Sequence, residues 1–314
     1  MQTTESPQHL TAGQVGVRIV DNVAACVLGK RPVVAMAVAA LLARGHVLLE
    51  DQPGVGKTLL ARSLAGSIGG RLGRIQGAID LLPSDLTGGE VHDPRTGDWV
   101  YRSGPIANHV VLFDELNRSS PRTHAPLLEA MQENTITVDG RSRPLPRPFF
   151  VVATQNPFDT EGTFPLAPGQ LDRFAVRLSL GLPDRSVERE LIVDQAAGDR
   201  HEIHPVCTPD DVEAARQSIA ALHVAPEVAD YALAVVDDLR HRAAGRAWVS
   251  TRAARTMVDV ARSHAALAGR DFVAPDDIKV VAPPVLAHRL AGFESGGHQW
   301  AFVEEGLASV PTPR

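Results

Sequence analysis

The residues best suited to chemistry lie in one short segment, PGVGKT at positions 53–58. An apolar run at 46–50 precedes it and a helix-forming run at 59–64 follows it, which predicts a strand, a glycine loop and a helix start. Glycines let backbone N–H groups approach an anion, and a helix N-terminus adds partial positive charge. Lys57 would reach the β- and γ-phosphates, and the Thr58 hydroxyl would hold Mg²⁺. The segment therefore predicts a triphosphate site formed by Pro53, Gly54, Val55, Gly56, Lys57, Thr58 and Leu59.

The segment departs from the usual phosphate-loop pattern at its first position, where Asp51 stands in place of a glycine. An ordinary Gly-Pro turn before a helix is the alternative interpretation. The remaining Pro-Gly-x-Gly-Lys-Thr core would arise by chance in roughly one in a thousand chains of this length. That rarity favours phosphate binding.

Two adjacent carboxylates, Asp114 and Glu115, follow the apolar run at 110–113. In an open α/β sheet the carboxyl ends of the strands are where ligands bind. Asp114 can hold Mg²⁺ opposite Thr58, and Glu115 is then free to act as a base toward an attacking water. A turn that merely ends the strand is the alternative, but the glycine loop upstream favours a catalytic pair.

Three further polar residues complete the candidate site. Asn156 follows the strand predicted at 149–153 and could hydrogen-bond the γ-phosphate and the lytic water, although an Asn-Pro turn would also explain it. Arg173 precedes the last predicted strand, and we expect it at the nucleotide edge of the sheet. Arg252 lies in the first turn of a helix, where a cation opposes the helix dipole. Its position indicates a role outside that helix, with a surface salt bridge as the alternative.

The order of elements predicts an α/β fold, in which a parallel sheet carries helices on both faces, followed by an all-α domain. An inserted hairpin is predicted at 88–101, with its turn at 93–97. The predicted strands are 46–50, 74–76, 110–113, 149–153 and 175–180, and the predicted helices are 14–28, 31–44, 209–222, 226–243, 251–268 and 275–290, the last broken near Pro283 and Pro284. The predicted domains are 1–183 and 184–314, with 1–12 disordered, an insertion at 77–108 and a loose tail at 308–314.

Composition excludes several classes of protein. The net charge of −6 and the aromatic content of 4% argue against a nucleic-acid surface with base-stacking platforms. Cys26 and Cys207 form no CxxC pair, which is typical of a reduced compartment. The N-terminus lacks the features of a signal peptide, and the longest apolar run, 33–43, is too short to span a bilayer. We therefore expect a cytoplasmic protein with no membrane span.

The chain resembles the MoxR family of AAA+ ATPases, within the group that carries an insertion in helix 2. The resemblance covers roughly residues 14–292. Several long motifs occur in the right order, which makes the resemblance specific. The matching segments are LEDQPGVGKT at 49–58, LLPSDLTG at 81–88, DELNR at 114–118, LLEAMQE at 127–133, ATQNP at 153–157, QLDRF at 170–174, FVAPDDI at 272–278 and HRL at 288–290.

The resemblance implies a role for each matching residue. Gly54, Gly56, Lys57 and Thr58 match Walker A, Asp114 and Glu115 match Walker B, Asn156 matches sensor 1, Arg173 matches the arginine finger and Arg252 matches sensor 2. It also implies an AAA+ sheet with a helical lid, usually assembled as a ring of six, so that Mg-dependent ATP hydrolysis requires a neighbouring subunit. Family members are thought to be chaperone-like remodelling ATPases, commonly paired with a protein bearing a von Willebrand factor A domain.

Three departures concern the subunit interface more than nucleotide binding. Residues 167–169 are Ala-Pro-Gly where the family often has Pro-Glu-Ala, which removes a carboxylate near Arg173. Residues 77–79 are Gly-Ala-Ile in place of a more usual Phe-Thr-Pro. Pro126 would remove a hydrogen bond from a helix capped by Ser120, so we expect that helix to start later, with Thr123 as its cap.

Three other functions remain as alternatives. A scaffold that binds ATP, assembles and turns over negligibly is the first, and the lost carboxylate before Gln170 favours it slightly. A DNA-engaging motor is the second, but the acidic balance and the few cations of the hairpin, chiefly Arg95 and Arg102, argue against it. A small-molecule kinase is the third, and it would not need a lid arginine, a strand-tip asparagine and a finger-like arginine together.

Overall fold

A computed structural model describes residues 10–157, 162–193, 203–243, 249–290 and 297–313. Its strands are β1 (Val47–Glu50), β2 (Leu72–Gln76), β3 (Gly88–His92), β4 (Trp99–Ser103), β5 (Val110–Asp114), β6 (Thr135–Val138), β7 (Arg141–Pro144), β8 (Phe150–Gln155) and β9 (Val176–Leu178). Its helices are α1 (Ala12–Cys26), α2 (Arg31–Leu42), α3 (Lys57–Ser67), α4 (Pro83–Thr87), α5 (Pro121–Glu133), α6 (Pro168–Leu171), α7 (Arg185–Val193), α8 (Pro209–Ala220), α9 (Pro226–Arg242), α10 (Thr251–Leu267), α11 (Pro275–Leu286) and α12 (Gly297–Ser309).

The central sheet has five parallel strands in the order β2-β5-β8-β1-β9, which confirms the predicted α/β fold. Its inner strands are buried on both faces, as parallel strands covered by helices must be. Along β1, Val47 and Leu49 pack into one apolar cluster while Leu48 packs into the other. The sheet therefore separates two cores and brings the carboxyl ends of β1, β5 and β8 together at one edge.

Two hairpins interrupt the alternation of strands and helices. The first pairs β3 with β4 and turns at 93–97, as the sequence predicts. The second pairs β6 with β7 and was not predicted. The sequence does contain a signal for this hairpin, the pair Asp139-Gly140. In the structure these two residues have φ values of 50° and 74°, the left-handed conformations that a two-residue hairpin turn needs.

Helix α5 starts earlier than expected. Ser120 caps it, accepting a hydrogen bond of 3.3 Å from the Thr123 backbone N–H, and the helix continues through Pro126. The predicted later start, with Thr123 as the cap, is therefore wrong. The Thr123 hydroxyl donates instead to the Leu81 carbonyl oxygen at 2.7 Å, and the buried His124 contacts the Leu116 carbonyl oxygen at 2.9 Å. These contacts fix the first turn in spite of the proline.

Past β9, every named element in the described part of the chain is a helix. The predicted break near Pro283 and Pro284 is wrong, because α11 runs to Leu286 before tightening into a short 3₁₀ turn at Ala287–Arg289. Buried apolar neighbours in α11 hold it in register despite two missing backbone donors. The division at 183 stays a prediction.

The predictions of disorder at residues 1–12 and of a loose tail at residues 308–314 are each partly wrong. Thr11 forms a capping box with Gln14, so α1 begins at Ala12, inside the segment expected to be disordered; residues 1–9 lie outside the described ones. At the other end α12 continues to Ser309, two residues into the predicted tail. Capping contacts and packing order these residues. Neither can be predicted from the polar composition of the two ends.

Candidate functional site

The glycine loop connects the carboxyl end of β1 to the first turn of α3. Gly54 and Gly56 have φ values of +85° and +97°, which L side chains rarely adopt. A Cβ atom added to either would meet no atom within 4 Å, so the loop backbone faces open space. No side chain caps α3 at Gly56, and the N–H groups of its first turn remain available to an anion.

A cavity of about 350 Å³ lies over this loop. It brings together most of the predicted site residues, namely Pro53, Gly54, Gly56, Lys57, Thr58, Leu59, Asp114, Glu115 and Asn156. Val55 is the loop residue that does not line it, because its side chain packs against the apolar core. Residues from three neighbouring strand ends and one helix start therefore converge on one volume.

Lys57 holds its ammonium group at the loop backbone. The Nζ atom donates to the carbonyl oxygens of Asp51 at 2.7 Å and Gln52 at 3.3 Å. Burial lowers the pKa of Lys57, while the negative charges of Asp51, Asp114 and Glu115 act in the opposite direction. Those two carbonyl contacts leave the lysine close to the site where phosphate oxygens would lie.

Asp51, which stands where the phosphate-loop pattern has a glycine, has a structural role that the sequence did not reveal. Its buried carboxylate accepts hydrogen bonds from the Ser179 hydroxyl at 2.7 Å and from the backbone N–H groups of Leu180 at 2.6 Å and Gly181 at 3.1 Å. A glycine could make none of these contacts. Asp51 thus fastens the start of the glycine loop to the segment that follows β9.

The two predicted carboxylates lie at the carboxyl end of β5, and one hydroxyl contacts both residues. The Thr154 hydroxyl donates to Asp114 Oδ1 at 2.7 Å and accepts from the Glu115 backbone N–H at 2.9 Å. Glu115 itself adopts a left-handed conformation, with φ of 53° and ψ of 51°. Non-glycine residues in this region cost free energy and are concentrated at functional sites.

The side chain of Glu115 is held by its neighbours. Its Oε2 atom accepts a hydrogen bond from Gln76 Nε2 at 3.0 Å and lies 3.3 Å from Arg118 Nε. Gly77 accounts for one departure from the family pattern, because a Cβ there would lie 2.0 Å from the Glu115 carbonyl oxygen. The close backbone approach at Gly77 is what allows β2 to support this turn.

The donor set of the cavity fits Mg²⁺. Thr58 supplies a hydroxyl oxygen and Asp114 a carboxylate oxygen, both hard ligands, and both line the same volume. Within the described residues, no group of three or more His, Cys, Asp or Glu side chains could hold a metal ion. This pair suits an ion that keeps several waters and shares phosphate oxygens, as Mg²⁺ commonly does.

Arg173 lies on the opposite edge of the sheet, and the expectation that it would lie at the nucleotide edge is wrong. It precedes β9, which runs parallel to β1, so it is at the amino end of the strands. The four residues of β1 separate the two edges by about 13 Å at ~3.3 Å per residue. Arg173 Nη1 donates to the Leu128 carbonyl oxygen at 3.4 Å.

Arg252 also lies at this second edge. A cavity of about 530 Å³ there is lined by Arg173, Arg252 and Arg289, among other residues. Arg252 is 54% exposed, and its Nη1 atom lies 3.8 Å from Asp172 Oδ2. Burial lowers the pKa of Arg173, and the positive charge of Arg252 lowers it further, against the opposing effect of Asp172. The two predicted arginines therefore lie together, away from the glycine loop of their own chain.

No helix of the described residues is both long enough and apolar enough to cross a membrane.

Comparison with known proteins identifies related chains over most of this sequence. The family model described as the ATPase family associated with various cellular activities (AAA) matches residues 46–176, and the AAA lid domain matches 237–305. An uncharacterized protein, YeaC of Bacillus subtilis, is 41% identical and covers 94% of each chain. The chaperone MoxR1 of Mycobacterium tuberculosis is 36% identical, over 87% of this chain and 74% of its own.

A solved structure gives the same picture. A protein of Cytophaga hutchinsonii described as a candidate ATPase superposes with a TM-score of 0.86 at 30% identity, covering 96% of both chains. The similarity includes the sheet and the C-terminal helices alike.

Proposed function

The chain belongs to the MoxR family of AAA+ ATPases, and from this premise we propose that it hydrolyses ATP with Mg²⁺ to remodel or mature partner protein complexes. The observation that carries the proposal is the single cavity into which Lys57, Thr58, Asp114, Glu115 and Asn156 converge.

The polar groups of the cavity each have a task in this proposal. The N–H groups of the glycine loop and Lys57 bind the phosphates, and Thr58 and Asp114 hold the metal ion. When bound, Mg²⁺ neutralises phosphate charge. Glu115 accepts the proton of the attacking water, and Asn156 orients that water and the terminal phosphate. The contact from Thr154 keeps Asp114 and Glu115 in their relative positions.

The active site is completed between subunits of a ring in this proposal. Arg173 and Arg252 lie at the sheet edge opposite the glycine loop, so one chain cannot place them on its own terminal phosphate. A neighbouring subunit can present that edge to the cavity. An arginine supplied in this way contributes about 10³–10⁵ to turnover in comparable ATPases and GTPases. We propose a ring of six, the usual assembly in the family.

The proposed partner rests on the family resemblance, and the proposed compartment rests on the composition of the sequence. One relative is named a chaperone, which supports a remodelling role for this chain. We propose that it acts in the cytoplasm, without nucleic acid, on a partner that bears a von Willebrand factor A domain. Co-purification with the slow Glu115→Gln variant would identify that partner.

The Glu115→Gln variant also tests the proposed chemistry. Glutamine keeps the size of the side chain and cannot accept the proton, so we expect ATP affinity to stay within about threefold while turnover falls about 10²–10⁴-fold. Calorimetry and phosphate release measure the two quantities. The exposed Glu227→Gln serves as the control and should behave as the wild type. Unchanged hydrolysis in Glu115→Gln would remove Glu115 from the mechanism.

A further inference from the structure

Arg289 is a buried arginine at the second sheet edge, and sequence reasoning assigned it no role. It follows α11 in the 3₁₀ turn, and its side chain is 1% exposed. Its Nε atom donates to Asp172 Oδ1 at 2.8 Å. The guanidinium also donates to three backbone carbonyl oxygens of the segment 172–175: those of Asp172 at 3.3 Å, Phe174 at 2.9 Å and Ala175 at 3.4 Å.

These contacts enclose Arg173 from both sides. The residue before it and the two residues after it are all bound by one side chain, which comes from the C-terminal helical part of the chain. The Arg173 backbone therefore cannot shift without breaking hydrogen bonds to a buried guanidinium. Bonds of this charge-assisted kind are stronger than neutral ones, and leaving such a donor unpaired is costly.

Asp172 extends the arrangement to Arg252. Its carboxylate accepts from the Ser250 hydroxyl at 3.3 Å and lies 3.8 Å from Arg252 Nη1. Ser250 is itself the N-cap of α10, the helix that carries Arg252. One carboxylate thus joins the residue next to Arg173, the start of α10 and the buried Arg289.

We propose that Arg289 is a positioning residue that holds Arg173 and Arg252 in one fixed arrangement, so that both reach a neighbouring subunit's nucleotide together. This inference rests on the proposed inter-subunit site. Only arginine offers a planar set of five donors that can bind a carboxylate and several carbonyl groups at once. A lysine at position 289 keeps the charge and loses most of these contacts.

Arg289→Lys is therefore the informative variant. A displacement of about 1 Å at a catalytic group can cost about 10²-fold in rate. We expect kcat to fall about 10²-fold while KM for ATP stays within about threefold, because the variant's own glycine loop is intact. Arg216→Lys is the matched control. Arg216 is also buried, at 3% exposure, and it binds Glu213 at 2.6 Å and the Leu41 carbonyl oxygen at 2.9 Å. Arg216 contacts neither Arg173 nor Arg252, so the Arg216→Lys variant should be less stable than the wild type but have the same kcat.

Mixed rings identify the subunit surface on which Arg289 acts. Glu115→Gln damages the nucleotide cavity and leaves the arginine edge intact, whereas Arg173→Ala does the reverse. A mixture of Arg289→Lys with Glu115→Gln should recover turnover. In random 1:1 rings half of the cavities and half of the arginine edges are intact, so about a quarter of the junctions have both, and the rate should reach up to about a quarter of the wild-type rate. Mixed with Arg173→Ala, Arg289→Lys should recover nothing, because both subunits then have a damaged arginine edge.

The opposite pattern, recovery with Arg173→Ala alone, would place Arg289 at its own subunit's cavity and overturn the inference. Wild-type kcat in unmixed Arg289→Lys would overturn it as well. If Arg289→Lys forms no rings, Asp172→Asn replaces it and must show the same recovery pattern, otherwise the inference fails. The mixture of Glu115→Gln with Arg173→Ala is the separate test of the proposed function. If those two fail to complement each other, the inter-subunit site itself is wrong.

Discussion

Thr154 holds the turn that carries both carboxylates of the cavity over the glycine loop. Its side chain is fully buried, and its hydroxyl group is shared between Asp114 and the backbone of Glu115. The sequence showed Thr154 as part of a strand end but gave no reason to single it out. Its importance comes from the register of β5 beside β8, which places the hydroxyl next to the turn at 114–115.

We predict that Thr154→Val will impair turnover more than nucleotide binding. Valine has the same shape but leaves a carboxylate oxygen and an N–H group unpaired, at a cost of about 1–3 kcal/mol in the free energy of unfolding. The loosened carboxylates should lower kcat about tenfold or more. Thr154→Ser, which keeps the hydroxyl, is the control. Phosphate release and urea denaturation measure both effects, and equal loss in the two variants would contradict the prediction.

Residue types and spacing were enough to find the cavity. The glycine loop, the two carboxylates and Asn156 were all predicted, because each follows an apolar run that forms a strand of the parallel sheet. Arg173 was predicted at the wrong edge of the sheet. It precedes β9, and in a parallel sheet a residue that precedes a strand lies at the opposite edge from a residue that follows one. The contacts of Asp51 and Arg289 depend on tertiary structure and could not be predicted from spacing.

Helix α5 shows how tertiary contacts override local preferences at the scale of elements. A proline six residues past the cap removes the backbone donor that would pair with the Arg122 carbonyl group four residues earlier. The anchors at Thr123 and His124 nevertheless keep the helix start at Pro121. The same explanation applies to α11, which passes through two prolines in a buried position.

We predict that Pro126→Ala will stabilise the protein. The substitution removes the cost of an interior proline, which is about 3 kcal/mol for the missing hydrogen bond and the clash of the ring together, and it loses about 1 kcal/mol through the greater freedom of the unfolded chain. The net gain should be about 2 kcal/mol in the free energy of unfolding. Pro121→Ala, at the first helical position of the same helix, is the matched control and should give no gain. Denaturant titration of both variants checks this, and equal effects would show that position in the helix is irrelevant.

Elements were predictable where one signal dominated. Apolar runs located all five strands of the sheet, and the turn residues at 93–97 located the first hairpin. The second hairpin was missed although Asp139-Gly140 is a strong turn signal, since its strands have four residues each and β7 contains no apolar run. The start of α5 and the break in α11 were predicted from local proline rules alone, and both predictions failed because long-range packing keeps these helices intact.

For the whole molecule, the informative feature is the separation of two surfaces across one sheet. The cavity over the glycine loop lies at the carboxyl edge and the arginine pair at the amino edge. In a closed ring of identical subunits, a head-to-tail interface brings such opposite surfaces together at every junction. In the proposed ring, the separation of the two surfaces would make turnover depend on assembly.

We predict that turnover per subunit will rise with protein concentration and then reach a plateau once rings are complete. Arg173→Ala should bind ATP with wild-type affinity, because it leaves the cavity intact, and should show about 10³-fold or greater loss of turnover at the plateau. Phosphate release and sedimentation over the same concentration series provide the test. The exposed Arg31→Ala is the control and should follow the wild-type curve. A constant rate per subunit across the series, together with an active Arg173→Ala, would mean that each chain completes its own site, and the opposite placement of the two surfaces would then have no part in hydrolysis.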